Sequence, residues 1–324
     1  MTNILVLTGQ LRNYGDHLIA LGTTNLFRNA YSSHNITFSN RHNPPPLPLD
    51  AYDKVFISGG PFLKEPLLIG NKVFNNCPIS LSNVQLIGGG LKCPINKLNQ
   101  PIPSFSPKTL RLLKSMKRVG CRDLDSVYVL RNFGVNAFYS GCPAWFGYHH
   151  WRDSPNYRLA SSPSKVVFTA PQSDLYLEQM CELVERLNRI YSVAVCFNKG
   201  FETVAQTSTV SHLKSLNIEC YDTSGPDSFP KILNTSHWHI GYRVHSHVAA
   251  LSMGIPSSLF AEDCRAVCMN KTLGIDWFSA KTTNYHNSFD QINYERACDD
   301  MLIALKHLPS LSLSSYHFLD MCNE

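Results

Sequence analysis

Arg243 and His245 are the residues of this chain best suited to chemistry. They close the run His237-Trp238-His239-Ile240-Gly241-Tyr242-Arg243-Val244-His245, an apolar strand pattern, and stand before a helical stretch at 246–253 that Gly254 and Pro256 stop. The carboxyl ends of strands are where open α/β sheets bind ligands. A guanidinium there can hold a phosphate or carboxylate through two parallel hydrogen bonds, and the backbone N–H groups of Val244, His245 and Ser246 would add to an anion site. His245 could then give or take a proton beside the anion. The residue types equally allow a plainer arrangement in which Arg243 pairs with a carboxylate and His245 caps the helix. Arg122 holds the corresponding place in the first half, ending the strand at 118–121 ahead of a helix begun by Asp123. One arginine from each half would then face one cleft, against the alternative of an Arg-Asp surface turn.

The weaker signals lie elsewhere. Asn13-Tyr14-Gly15-Asp16 is a glycine loop leading into a helical pattern at 17–27, with Asp16 as its expected N-cap, but it has neither the dinucleotide fingerprint nor the P-loop lysine. Strands at 54–60 and 84–90 both end in glycines, Gly59-Gly60 among them, which suggests backbone held close to a ligand or a neighbouring segment. His237, His239, His245 and His247 invite a metal reading, yet the first pair shares a strand face and the second diverges by about 200° around a helix turn, so no metal is expected. Cys264 and Cys268 lack a second paired motif for zinc, and Gly141-Cys142-Pro143-Ala144 reads as a structural turn.

Positioning such residues requires a scaffold, and strands alternate with helices along both halves: 4–7, 54–60, 84–90, 118–121 and 137–139 in the first, 166–170, 192–197, 218–221, 237–245 and 257–261 in the second. Helices are expected at 107–116, 124–130, 174–190, 210–215, 229–233 and 290–308. The fold class is therefore α/β with two Rossmann-like domains facing a cleft, residues 1–150 and 165–285, separated by a polar linker at 149–164 and followed by a helical segment, 286–324, that packs back across the cleft. With 44% hydrophobic and 16% charged residues the chain builds real cores, and its charge of +5 suits an acidic small substrate better than nucleic acid. Its eleven cysteines are odd in number and irregularly spaced, as buried reduced thiols would be. The opening lacks a basic leader, and the chain has no apolar run of the ~18 residues that a span requires, making the cytoplasm the default location.

Taken in order, Gly9 to Asp16, Gly59-Gly60, Arg122-Asp123-x-x-Ser126, Gly134-Val135, Gly141-Cys142-Pro143, Gly241 to His245 and Gly254-Ile255-Pro256 resemble the polysaccharide pyruvyl transferases, over a stretch from Gly9 to about Gly274. The resemblance implies a glycosyltransferase-B-like fold and transfer of a pyruvyl group from phosphoenolpyruvate to two hydroxyls of a saccharide or glycan acceptor, as a ketal, in exopolysaccharide biosynthesis, with no further cofactor. It implies Arg122 and Arg243 as donor grips, Val244 as a backbone contact with Ser246 beside it, and His245 as the acid–base catalyst; Asn13, Gly15, Asp16, Gly59 and Gly60 would line the cleft. Departures are Val244 where leucine is usual, Cys142 where aspartate is common, and the bulky Gln10-Leu11-Arg12, which bears on the acceptor side. A nucleotide-sugar glycosyltransferase and a non-catalytic binding relative are the alternatives that the same architecture supports.

Overall fold

The computed structural model describes residues 2–9, 12–41, 49–63, 82–92, 105–148, 157–280 and 291–322. The first half of the expected linker, 149–156, lies outside the described residues. The chain divides into two compact units, and neither is one stretch of sequence. The first comprises Met1–Leu11, Ile19–Gly147 and His307–Glu324; the second comprises Arg12–Leu18 and Tyr148–Lys306.

The first unit is built on a parallel sheet whose strands are β1 (Asn3–Thr8), β2 (Asn35–Asn40), β3 (Lys54–Leu63), β4 (Val84–Leu91), β5 (Arg118–Cys121) and β6 (Ala137–Tyr139). Their spatial order is β2-β1-β3-β4-β5-β6. Ile4, Leu5, Val6 and Leu7 are all fully buried, the signature of a central strand covered on both faces, which is why the run is continuously apolar rather than alternating. Helix α1 (Tyr14–Ala30) gives all but its first turn to this unit, α2 (Pro107–Ser115) starts on the side-chain cap of Ser106, and α3 (Leu124–Asn132) starts on Asp123. Gly134, at φ +72°, ends α3 as expected, with the Val135 amide bonding back to the Leu130 carbonyl at 3.0 Å.

The second unit carries β7 (Lys165–Thr169), β8 (Ser192–Phe197), β9 (Glu219–Asp222), β10 (Trp238–Gly241), β11 (Ser257–Ala261) and β12 (Phe278–Ser279). They pair in parallel in the order β12-β11-β10-β7-β8-β9. Counted from β7, this is the doubly-wound order in which the sheet reverses direction between its first and fourth strands, so the switch point that favours ligands lies between β7 and β10. The helices between are α4 (Leu177–Asn188), α5 (Val204–Ser215), α6 (Ser228–Leu233), α7 (Val244–Ser252) and α8 (Cys264–Leu273). Helix α9 (Tyr294–Met321) follows, divided between the units after Lys306.

Several elements depart from the sequence expectation. Helix α1 begins at Tyr14, three residues early, because Asn13 rather than Asp16 caps it: Asn13 Oδ1 accepts the Gly15 amide at 3.2 Å, and Asp16 falls inside the first turn. Helix α5 runs from Val204 because Thr203 and Gln206 form a reciprocal capping box. Strand β2 and helix α8 had no clear period to announce them. Cys264 and Cys268 sit one turn apart on the buried face of α8, and the cysteines at 121, 142, 196 and 322 are buried free thiols.

Candidate functional site

The site of the second unit is assembled where β10 gives way to α7. Arg243 is the N-cap residue of α7, with extended backbone at φ −101° and ψ 112°, and its side chain makes no capping bond. The N-cap side chain thus does not cover the first-turn amides of Val244, His245 and Ser246, and a helix N-terminus of this kind is suited to receive an anion. Arg243 and His245 are both half-buried, whereas Val244 is 8% exposed and Ser246 fully buried.

Arg243 does not form the ion pair that was its simpler reading. Its Nη2 donates to Asn13 Oδ1 at 3.2 Å, and among the described residues no carboxylate lies within ion-pairing distance. Asn13 in turn donates from Nδ2 to Asp16 Oδ2 at 3.1 Å, so a directed chain of hydrogen bonds runs from Arg243 through Asn13 to Asp16. Burial lowers the pKa of Arg243 from the ordinary guanidinium value, and the Glu262 charge opposes that shift. Glu262 follows β11; its Oε1 accepts the amides of Gln172 at 2.8 Å and Ser173 at 3.1 Å, in the loop after β7. Burial raises its pKa, while Arg243 pulls the other way. The carboxylate thus balances the guanidinium through space without occupying its donors.

Gly15 explains itself at this point. A Cβ added there would lie 2.7 Å from His245 Nδ1, so the glycine lets the imidazole sit against the first turn of α1. The structure thus brings Asn13, Gly15, Asp16, Arg243, Val244, His245 and Ser246 together. The bulky Arg12 has a role as well: its Nη2 pairs with Asp222 Oδ2 at 2.6 Å and its Nε donates to Ser224 at 3.0 Å, tying the segment before α1 to the end of β9. Asn198 and Glu262 were missed by the sequence reading; each is a single polar residue directly after an apolar strand, which is a faint signal.

Behind the site lies a second histidine pair. Ser257 Oγ stands between His239 Nδ1 at 2.6 Å and His247 Nδ1 at 2.7 Å, and His239 Nε2 meets Thr169 Oγ1 at 3.1 Å. Both rings are fully buried, and burial lowers both pKa values, that of His247 to about 3. His237 instead accepts the amide of Lys165 at 3.3 Å. The four histidines thus serve three separate neighbourhoods, and among the described residues no group of three or more His, Cys, Asp or Glu is placed to hold a metal ion.

In the first unit Arg122, Gly59 and Gly60 lie at the carboxyl end of the sheet. Arg122 is 2% exposed; its Nε reaches Asp123 Oδ2 at 3.4 Å and its Nη2 the Leu91 carbonyl at 3.5 Å. Its Nη1 is buried with no hydrogen-bond partner. Gly90 makes room for this guanidinium, because a Cβ there would fall 2.2 Å from Nε. Asp123 is the N-cap of α3 and accepts the Ser126 amide at 2.8 Å. Gly59 and Gly60 have φ of +60° and +108°, and the Gly59 carbonyl accepts from Arg41 Nη1 at 3.1 Å.

Two parallel-sheet α/β units of this kind define the glycosyltransferase-B fold, and solved structures bear this out. The chain is similar to a UDP-GlcNAc 2-epimerase from Neisseria meningitidis bound to UDP-GlcNAc, at 13% identity, TM-score 0.64, with 98% of this chain and 100% of that one covered. The S. aureus MnaA–UDP structure matches at 14% identity and TM-score 0.61, covering 100% and 98%. A glycosyltransferase from Rickettsia africae matches at 10% identity and TM-score 0.56, covering 99% and 98%. At such identities the likeness is one of fold. No curated protein sequence matches the chain. A sequence model of the polysaccharide pyruvyl transferase family matches residues 13–263, and the chain belongs to that family.

Proposed function

We propose that this transferase moves a pyruvyl group from phosphoenolpyruvate to two hydroxyls of a saccharide or glycan acceptor, forming a ketal. The observation that supports the reading most is the pairing at the head of α7: an arginine with no carboxylate in ion-pairing distance among the described residues, standing as an N-cap whose side chain makes no cap, and a histidine held against Gly15 two residues on. Arg243 and the first-turn amides, Val244 included, bind the carboxylate or phosphate of the donor. Arg122, the matching arginine of the first unit, takes the same role by family resemblance; its buried, unpartnered Nη1 suits an anionic oxygen.

His245 delivers a proton to the methylene carbon of the donor, leaving positive charge on the neighbouring carbon. One acceptor oxygen bonds to that carbon and gives up its proton; phosphate then departs with its electron pair, and the second hydroxyl oxygen closes the ring as its proton leaves. The products are the ketal and inorganic phosphate. Such a proton step needs a group that both gives and takes a proton near neutrality, which suits histidine. The side chain of Ser246, buried on Asn198, leaves its backbone amide as the contribution it can make.

The reading is tested by calorimetric titration with phosphoenolpyruvate, with UDP- and GDP-sugars as competitors. Saturable phosphoenolpyruvate binding that Arg243→Ala removes is the expected result. Binding of nucleotide sugars alone would replace the reading with glycosyl transfer.

A further inference from the structure

We propose that Asn198 is a positioning residue that sets the distance between His245 and the first turn of α1; the inference rests on His245 being the acid–base group. Asn198 directly follows β8 and is 4% exposed. It makes three hydrogen bonds, each to a different segment of the second unit. Its carbonyl oxygen accepts the Tyr14 amide at 3.0 Å. Its side-chain Nδ2 donates to Ser246 Oγ at 2.5 Å, and its Oδ1 accepts from Thr223 Oγ1 at 2.8 Å.

The order of these partners carries the argument. Tyr14 immediately precedes Gly15, and Ser246 immediately follows His245. The glycine and the imidazole lie so near each other that a Cβ on the glycine would stand 2.7 Å from His245 Nδ1. A single buried residue therefore bonds to the neighbour of each, and so brackets the contact between them. Thr223, fully buried, holds the other side of the amide: its hydroxyl donates to Oδ1 while Nδ2 donates to Ser246. The side chain is thus bonded on both sides, to a hydroxyl after β9 and to one at the head of α7, and its removal leaves both hydroxyls without this partner. Asn198 touches no reacting group; it acts through Tyr14 and Ser246.

Asn198→Ala and Asn198→Asp test this together. The aspartate keeps an acceptor for Thr223, and Ser246 can reverse to donate to it. In Asn198→Ala, kcat should fall about 10- to 100-fold, the scale of a misplaced catalytic group, with KM for phosphoenolpyruvate little changed and the melting temperature lowered, since two buried hydroxyls lose their partner. Asn198→Asp should recover most of the loss. The Gly15 α-proton resonances, shifted by the His245 ring current, should move in the alanine variant and return in the aspartate variant, a readout that needs no turnover. If Asn198→Ala does not fold, Thr223→Val weakens the same amide and takes its place. Unchanged kcat with unmoved Gly15 signals, or a loss that only tracks the folded fraction, would overturn the proposal. A wild-type protein that transfers no pyruvyl group would instead overturn the reading of the reaction, leaving the Gly15 signals to decide the positioning role.

Discussion

The two units present the same local design, a strand ending in arginine ahead of a helix, and finish it differently. At the head of α3 the arginine precedes the cap: Asp123 takes the N-cap position, satisfies the Ser126 amide and lies against Arg122 in a fully buried pair. At the head of α7 the arginine itself occupies the N-cap position with a side chain that makes no capping bond, and the carboxylate that acts on it most, Glu262, is spent on two backbone amides of another loop. A helix N-terminus concentrates partial positive charge. An aspartate in place discharges it at α3, whereas at α7 it is left standing beside a guanidinium. One arginine–helix junction is closed by its own cap, with one guanidinium nitrogen, Nη1, lacking a hydrogen-bond partner among the described residues, and at the other the N-cap side chain makes no cap.

The strongest way to probe this difference is His245→Ala. Turnover should fall by at least about a thousandfold, the scale of a lost general acid–base group, while phosphoenolpyruvate affinity by calorimetry stays near that of the wild type. Wild-type turnover would remove His245 from the chemistry. Next in size is Gly15→Ala, whose Cβ must displace the imidazole; a kcat lower by roughly a hundredfold is expected with the fold intact by circular dichroism. Full activity would mean that the contact does not matter.

Exchanging the arginines for alanine sharpens the comparison itself. Arg243→Ala should weaken donor binding roughly tenfold or more with little change in melting temperature, because its one hydrogen bond is to Asn13. Arg122→Ala should also destabilise the protein measurably by denaturant titration, by about 3 kcal/mol, since it strips a buried carboxylate of its partner. Equal stability in the two variants would erase the distinction drawn here.

The helices also differ on their buried faces, where α3 places Val127 and Leu130 and α7 places His247. His239 and His247 are held neutral, with folded pKa values below the unfolded value of 6.5. As pH falls below 6.5 the unfolded chain takes up protons that the native state refuses, so this contribution is intact above 6.5 and is lost on acidification toward the folded values. Denaturant titrations should show stability falling by about 1.4 kcal/mol per pH unit for each histidine in that window. A His247→Gln variant should lose part of this slope, and a profile between pH 6.5 and 5 identical to that of the wild type would contradict the burial argument. At the closed junction Asp123→Ala should cost about 3 kcal/mol of stability, because it removes the cap and leaves the Arg122 guanidinium buried without its carboxylate, whereas Asp123→Asn can still cap and should cost less.

The strand–helix junction that holds Arg243 and His245 was legible in the sequence, because an apolar run broken by a charged residue and then resuming as a helix marks the end of a buried strand. The sequence also carried the parallel α/β architecture, since central strands such as Ile4–Leu7 are apolar on both faces. It did not reach the junction chemistry. Asn198 follows Phe197 and precedes Lys199-Gly200, so it looks like a turn residue, and its partners Tyr14 and Ser246 are brought to it only by the fold. Glu262 is similarly silent, since its partners lie about ninety positions earlier. Strand β2, Asn-Ile-Thr-Phe-Ser-Asn, is half-buried at the sheet edge, and edge strands carry weak patterns because water satisfies much of what they expose. The division into units was hidden for a related reason. A helix pattern such as that of α1 shows no break between Leu18 and Ile19, although its residues divide there between the two units.

The chain of bonds from Arg243 to Asn13 to Asp16 has a polarity that its distances do not convey. Asn13 Oδ1 receives from both Gly15 and Arg243, and Nδ2 gives to Asp16, so the amide has no spare orientation. Deamidation of Asn13 would turn the one outgoing donor into an acceptor facing a carboxylate, and the segment would then carry two negative charges a hydrogen bond apart beside the arginine. A protein aged in this way would still possess every residue assigned to donor binding and proton transfer, yet would meet an anion with the charge of its own guanidinium already spoken for.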